Sequence, residues 1–532
     1  MRFFTFIASI LIIFAVPAHA EWHEANSDHF RIIADQNEKD VREFAERLEK
    51  FHSALHLTLG IKNIKPSPSN RLTIYVLRND FQLKKLYGDK KSFVGGFYIP
   101  RAGSSVSFIP RVDTNGNDVD MSERVLFHEY AHHIMYTNNK LITPRWYSEG
   151  FAEFHGSAKF EKDGGIGLGI TASHRGAELY LADNIKIEEL LDRETYRLAR
   201  EKDKSYDNFY GRAWLLYHYL NMGGERPGQL SKYFTQLANG KSELDAAREA
   251  FGDLEILDKD LKKYMRRSKL QYMKIAGTAL KTTDIHIRKM TEAEGQAIPL
   301  IIQQKRGLNK ESADELLIEA RALAEKFPDD ASILSMLSEA EFDTENYQAA
   351  IDAADKSIAI DPKNINAHVQ KIYALAEIAK DADDIDAAWK NVRSAVVTLN
   401  KLENDHPIPL IYYYNSFREQ GVNIPETAVN GIVRALEIAP YDQKLRWMVA
   451  QQFMREKEYS LARYYLIPLA NDPHQKNANN PAAKLLRAIE NLKDGENLSI
   501  KLSLPTSDED MGDDAGDGDA DGDDAGKNDG NK

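Results

Sequence analysis

A chain of 532 residues has room for three or four domains, and with 42% hydrophobic residues it can build real cores. It contains no cysteine, which excludes disulfides, thiol chemistry and a lipidated N-terminal cysteine. The formal charge is −13, much of it in the eleven acids and two lysines from Asp508 to Lys532, and no basic patch with interleaved aromatics argues for nucleic acid.

In chain order, the first element is an uncharged apolar run over 3–16 after Arg2, closed by Ala18-His19-Ala20. It reads as a secretory signal over 1–20, with an uncleaved anchor as the alternative, because the run is short for a membrane span. A periplasmic or secreted protein follows, with no stable membrane span. Short strands at 29–34 and 72–77 flank a helix over 37–57. Segments 93–99 and 105–109 read as a hairpin turning at 100–103. This is an α+β pattern.

The helix that follows is the most informative segment. Asp120 or Ser122 supplies its N-cap, with Glu123 placed to complete a capping box from Asp120. It then carries His128-Glu129-Tyr130-Ala131-His132 between apolar flanks, Val125 to Phe127 and Ile134-Met135. His128 and His132 stand one helical turn apart on one face, so two imidazoles can converge on one metal. Buried His and Glu are costly unless something satisfies them. Downstream lies Trp146-Tyr147-Ser148-Glu149-Gly150-Phe151-Ala152-Glu153. Catalytic zinc takes three nitrogen or carboxylate ligands and keeps a position for water, which makes Glu149 the natural third ligand. Glu129 stands beside the pair and can take a proton from the attacking water.

These two segments resemble the gluzincin metallopeptidases, in particular the peptidase-MA-like group, over residues 28–270. The resemblance implies a zincin-like α+β domain with one Zn2+ per chain held by His128, His132 and Glu149. It implies Glu129 as general base, and Glu153 as the outer carboxylate that orients a ligating histidine. Thermolysin-like members have Asp at that place, and the sixteen residues between His132 and Glu149 make a shorter gap than theirs. Family members also place a tyrosine that hydrogen-bonds the tetrahedral oxyanion. In Tyr206-Asp207-Asn208-Phe209-Tyr210, at the start of an apolar helix, Tyr210 is the candidate, ahead of Tyr206. The family holds substrate along a strand upstream of the metal helix, a role open to 95–99 or 105–109. Neither segment contains the acidic motif with which the large aminopeptidases grip a free N-terminus.

Beyond the metallopeptidase region, expected to span 21–276, the pattern breaks at 277–297, which reads as a linker. A fragment ending near Ala276 is therefore expected to fold with its metal. Next, 350–362 aligns with 428–440, and a third copy with one deletion covers 462–473. Tyr347 and Tyr459 each precede their copy's first alanine by three residues, and proline follows each copy's helix. This resembles the tetratricopeptide repeat, implying an all-α solenoid over 298–500 that binds substrate or partner proteins. Between 363 and 407 the pattern is degenerate, but 366–379 and 387–402 still read as helices. The Asp/Gly-rich tail over 504–532 reads as disordered, with calcium binding as a second reading.

The function expected from the whole is an exported zinc metallopeptidase with a helical-repeat domain that selects its substrate. The alternative is a cell-envelope scaffold that acts through its repeats and carries a non-catalytic or non-peptidase zinc domain.

Overall fold

The computed structural model describes residues 21–88, 94–138, 143–203, 205–471 and 480–497. The expected signal and acidic tail lie outside the described residues. Nine strands are found in these segments: β1 (His23–Asn26), β2 (Phe30–Ala34), β3 (Leu72–Leu77), β4 (Phe97–Ile99), β5 (Val106–Pro110), β6 (Ala158–Phe160), β7 (Ile166–Leu168), β8 (Met273–Ile275) and β9 (His286–Lys289). Six form a mixed sheet in the order β4-β5-β3-β2-β1-β9; β6, β7 and β8 form a second, antiparallel one. The centre of the larger sheet is parallel (β2 with β3, β3 with β5), and β4, β1 and β9 pair antiparallel.

Period-two alternation explains how this sheet is covered. Leu72, Ile74 and Val76 of β3 point into one apolar cluster with Phe30 and Ile32 of β2. Tyr75 and Leu77 point into the opposite cluster with Ile33, Phe97, Val106 and Phe108. Both faces of a central strand are thus buried, which is why its sequence, Leu-Thr-Ile-Tyr-Val-Leu, is apolar almost throughout. The helix Glu38–Leu59 covers the first face. It starts at Asn37, whose side chain accepts from the Asp40 amide, and stops at Gly60 in the left-handed region (φ 63). Its Phe51 stacks on Phe127 at 4.0 Å between centroids, bringing the helix Met121–Asn138 to the same side.

The opposite face is covered by residues expected to form a linker, and here the sequence reading is corrected. Within 277–297, β9 pairs with β1 along its length. The helix Glu292–Arg306 then lays Ile298 and Ile302 on Ile33, Tyr75 and Leu77. The same helix turns Ala293, Ala297 and Leu300 toward Leu316, Leu317 and Met336 of the helices beyond. It belongs to both halves, so a boundary at Ala276 cuts through a shared element.

From Lys310 onward the described residues form helices joined by short turns. The helices Ala331–Asp343, Tyr347–Ile360, Ile365–Lys380, Ile385–Leu402, Pro407–Arg418, Glu426–Ile438, Gln443–Arg455 and Tyr459–Ala470 each pack on the next. The alanines of the repeat pattern, among them Ala350, Ala428 and Ala462, are fully buried where the helices meet. Glu345 and Lys457, each two residues before a repeat tyrosine, share the left-handed backbone (φ 63 and 60), so the repeat extends to turn geometry. This half is a helical-repeat array, as expected. Among the described residues, no helix is long and apolar enough to cross a membrane.

Candidate metal centre

The helix Met121–Asn138 begins with the capping box read from Asp120. The Glu123 amide donates to Asp120 Oδ1 at 2.8 Å, and the Asp120 amide to Glu123 Oε2 at 3.3 Å. Arg47 of the first helix meets buried Glu123 at 2.7 Å, tying the two helices together. His128 and His132 are buried, whereas Glu129 between them is half-buried.

The helix Arg145–Gly156 lies against this one and is buried along most of its length. Two glycines set its position. A Cβ at Gly156 would stand 3.3 Å from the His128 amide nitrogen, so the backbones approach closely beside the first histidine. A Cβ at Gly150 would stand 2.5 Å from the Ala213 carbonyl oxygen, fixing the approach to the helix Phe209–Met222. Glu149 and Glu153 then fall on the face turned to the histidines.

The trio His128, His132 and Glu149 is brought together with ligand atoms within 4.8 Å of one another. His128 Nε2 and His132 Nε2 are 3.1 Å apart, and Glu149 Oε2 is 3.6 Å and 3.3 Å from them. Ligands at zinc's usual bond lengths in a tetrahedron stand about 3.3 Å from each other. The donor types and their spacing therefore both fit one zinc ion.

The other ring nitrogens are also engaged. His132 Nδ1 is 3.2 Å from Ser148 Oγ, which is 3.0 Å from the Tyr136 hydroxyl. His128 Nδ1 is 3.3 Å from Glu153 Oε1. Glu153 is gripped in turn by His174 Nε2 at 2.9 Å and by Arg175 at 2.5 and 3.1 Å. Burial opposes charge on Glu153, but Arg175, His128 and His174 outweigh it and hold its carboxyl well below the ordinary range. Burial likewise opposes a proton on His128, and Glu149 and Glu153 outweigh it. Arg175 also reaches Glu178 at 3.2 Å, and Glu178 accepts from the Gly211 amide at 2.6 Å. Burial pushes Glu178 up to about 7.

Tyr210 is the second residue of the helix Phe209–Met222 and is 4% exposed. Its hydroxyl accepts from Arg145 at 3.3 Å, and its ring lies 4.8 Å below the Arg175 guanidinium. The structure thus links it to the centre through Arg175 and Glu153. Tyr206 is 40% exposed, with its hydroxyl 3.5 Å from Glu178.

Of the two strands considered for holding substrate, β5 lies between β4 and β3 and pairs with both, so 105–109 cannot add a further strand. That reading is corrected. β4 is the end strand of the sheet, and its Tyr98 hydroxyl meets His133 Nδ1 of the metal helix at 2.7 Å. His174, Arg175 and His133 were not read from the sequence. Contacts spanning 21 and 22 residues, from Glu153 to His174 and Arg175, leave no periodic trace.

No family model matches the chain, and no curated protein matches it. Solved structures similar to it are helical-repeat proteins. A thermophilic TPR protein of Thermus thermophilus is 12% identical over 37% of this chain and 99% of its own, at a TM-score of 0.32. MamA from Desulfovibrio magneticus is 15% identical over 33% and 92%, at 0.27, and yeast Tom70 is 12% identical over 68% and 70%, at 0.25. Scores this low define no fold by themselves. The repeat reading stands on the helix pairing described above, and the N-terminal half gains nothing from these likenesses.

Proposed function

We propose that the protein is an exported zinc-dependent metallopeptidase of the gluzincin kind. The convergence of His128, His132 and Glu149 at zinc-ligand spacing is the observation that carries this reading. A zinc ion held there would polarise the attacking water and the scissile carbonyl. Glu129, half-buried beside the ligands, would take the proton from the attacking water and return it to the leaving amine. Ser148 and Glu153 orient the two imidazoles by engaging their Nδ1 atoms. Tyr210, whose hydroxyl oxygen accepts from Arg145, is the candidate donor to the developing oxyanion.

The test is metal content together with activity. The full chain should hold one zinc, His128→Ala and His132→Ala should lose it, and Glu129→Gln should keep it while losing cleavage of unstructured peptides. A double histidine variant that retains full zinc occupancy would overturn the assignment.

The array of paired helices favours a second reading, an interaction scaffold of the cell envelope. Zinc-loaded full chain that cleaves no peptide, yet binds a defined partner through the array, would decide for it.

A further inference from the structure

The helical-repeat half grips the tip of the β4–β5 hairpin. The Ala102 amide donates to Asp442 Oδ2 at 2.9 Å, and its methyl, 6% exposed, sits in the same apolar cluster as Ile372, Trp389 and Leu445. Arg101 donates to the Lys305 carbonyl at 3.1 Å. Gly103 has φ +73 and faces His406, where a Cβ would stand 2.8 Å from Cε1. Beside Asp442, buried Tyr441 lays its ring 4.6 Å from that of His133, the residue after a zinc ligand. His133 in turn bonds Tyr98 of β4. One short turn of the repeats therefore touches both the hairpin and the metal helix. A three-residue end strand has only β5 to fix it along one side, so what holds its tip governs its position.

We propose that the repeats clamp the metal centre, with Tyr441 and Asp442 as positioning residues that set β4 against the metal helix. A peptide laid along β4 would then run beside Tyr98, which lies near enough to Glu129 to feel its charge. This deepens the peptidase reading and, for its catalytic part, rests on it. It also gives the 439–442 turn to the chain's own hairpin, leaving external segments to other surfaces of the array.

The experiment uses the full chain carrying Tyr441→Ala, Tyr441→Phe, Asp442→Ala or Asp442→Asn. Phenylalanine keeps the ring on His133; asparagine keeps one acceptor, for the Leu445 amide that Asp442 Oδ1 caps at 2.8 Å, and sets an amide nitrogen where Oδ2 accepts from Ala102. Amide exchange at Phe97–Ile99 should rise about tenfold or more in the two alanine variants and in Asp442→Asn, which keeps the helix cap but loses the acceptor for Ala102, and stay near wild type in Tyr441→Phe. With unstructured peptides, KM should rise about tenfold while kcat changes little and zinc content stays constant. Unchanged exchange and KM in a folded Tyr441→Ala protein would overturn the clamp, as would Tyr441→Phe behaving like Tyr441→Ala. If Asp442→Ala does not fold, the Tyr441 pair decides alone. If the wild type cleaves nothing, the peptidase reading fails, and the exchange measurement still judges the clamp.

Discussion

Cutting the chain after Ala276 is the sharpest perturbation available, because sequence and structure give opposite answers. The cut removes β9 and the helix Glu292–Arg306, and with them Met290, Ile298 and Ile302, which are 8%, 2% and 6% exposed. Burying an aliphatic side chain of this size contributes about 1.5–3 kcal/mol, so three contribute about 5–9 kcal/mol. The face they cover, with Ile33, Tyr75 and Leu77, would be opened to water as well. Domains are stable by about 5–15 kcal/mol in total, so the fragment 21–276 should lack a cooperative fold. A fragment ending at Gly307 keeps that face covered and should melt cooperatively, though at a lower temperature than the full chain. Calorimetry, size-exclusion chromatography and zinc content decide the matter. A monomeric 21–276 fragment with a sharp transition and one zinc would refute the reasoning and restore the linker.

Three further outcomes are expected. Glu153→Ala should weaken metal affinity about 10- to 100-fold in chelator competition, since His128 loses the group that fixes its Nδ1; unchanged affinity would show that another group orients the ring. Burial raises Glu178 from 4.5 to about 7, so the native state binds its proton more tightly than the unfolded chain. Its contribution to stability is present at low pH and lost as pH rises from about 4.5 through about 7. Glu178→Gln should flatten that dependence in urea melts at pH 5 and pH 7.5, and identical profiles would remove Glu178 as its source. Gly150→Ala should destabilise by about 1–3 kcal/mol, because its Cβ would meet the Ala213 carbonyl oxygen at 2.5 Å and Tyr217 Cβ at 2.8 Å; an unchanged melting temperature would mean the helices part freely.

What was legible in the sequence was legible through periodicity. The helical period puts His128 and His132 on one face, and the apolar flanks announce that the face is buried. β3 shows itself as a run apolar on both faces, and the array through alanines and a tyrosine recurring at fixed offsets. Elements without a pattern were missed. β9, His-Ile-Arg-Lys, is mostly exposed and is held by backbone pairing to β1, so its side chains carry no strand signal. The docking of the hairpin tip rests on an alanine methyl and its amide, one arginine and a closely packed glycine, which no composition records. Tyr210 was read from its place at a helix start, but Arg145 and Arg175, distant in sequence, determine its surroundings.

The charged chain behind His128 bears on whether this centre is built for a metal. His128, Glu153, Arg175 and Glu178 are all buried or nearly so, and each buried charge loses several kcal/mol of hydration that its partners must recover. Apolar residues of similar volume would fill the same space at least as stably, so stability alone does not account for this network. Orientation does: a carboxylate fixed by Arg175 and His174 holds one imidazole nitrogen and leaves the other facing His132 and Glu149. That aim serves a bound metal, which the peptidase and a scaffold with a non-catalytic zinc domain would both hold. If Arg175→Met with Glu153→Leu and Glu178→Leu keeps the fold and the array's binding but loses the metal, the network exists for the metal centre. If the metal stays, the network is structural.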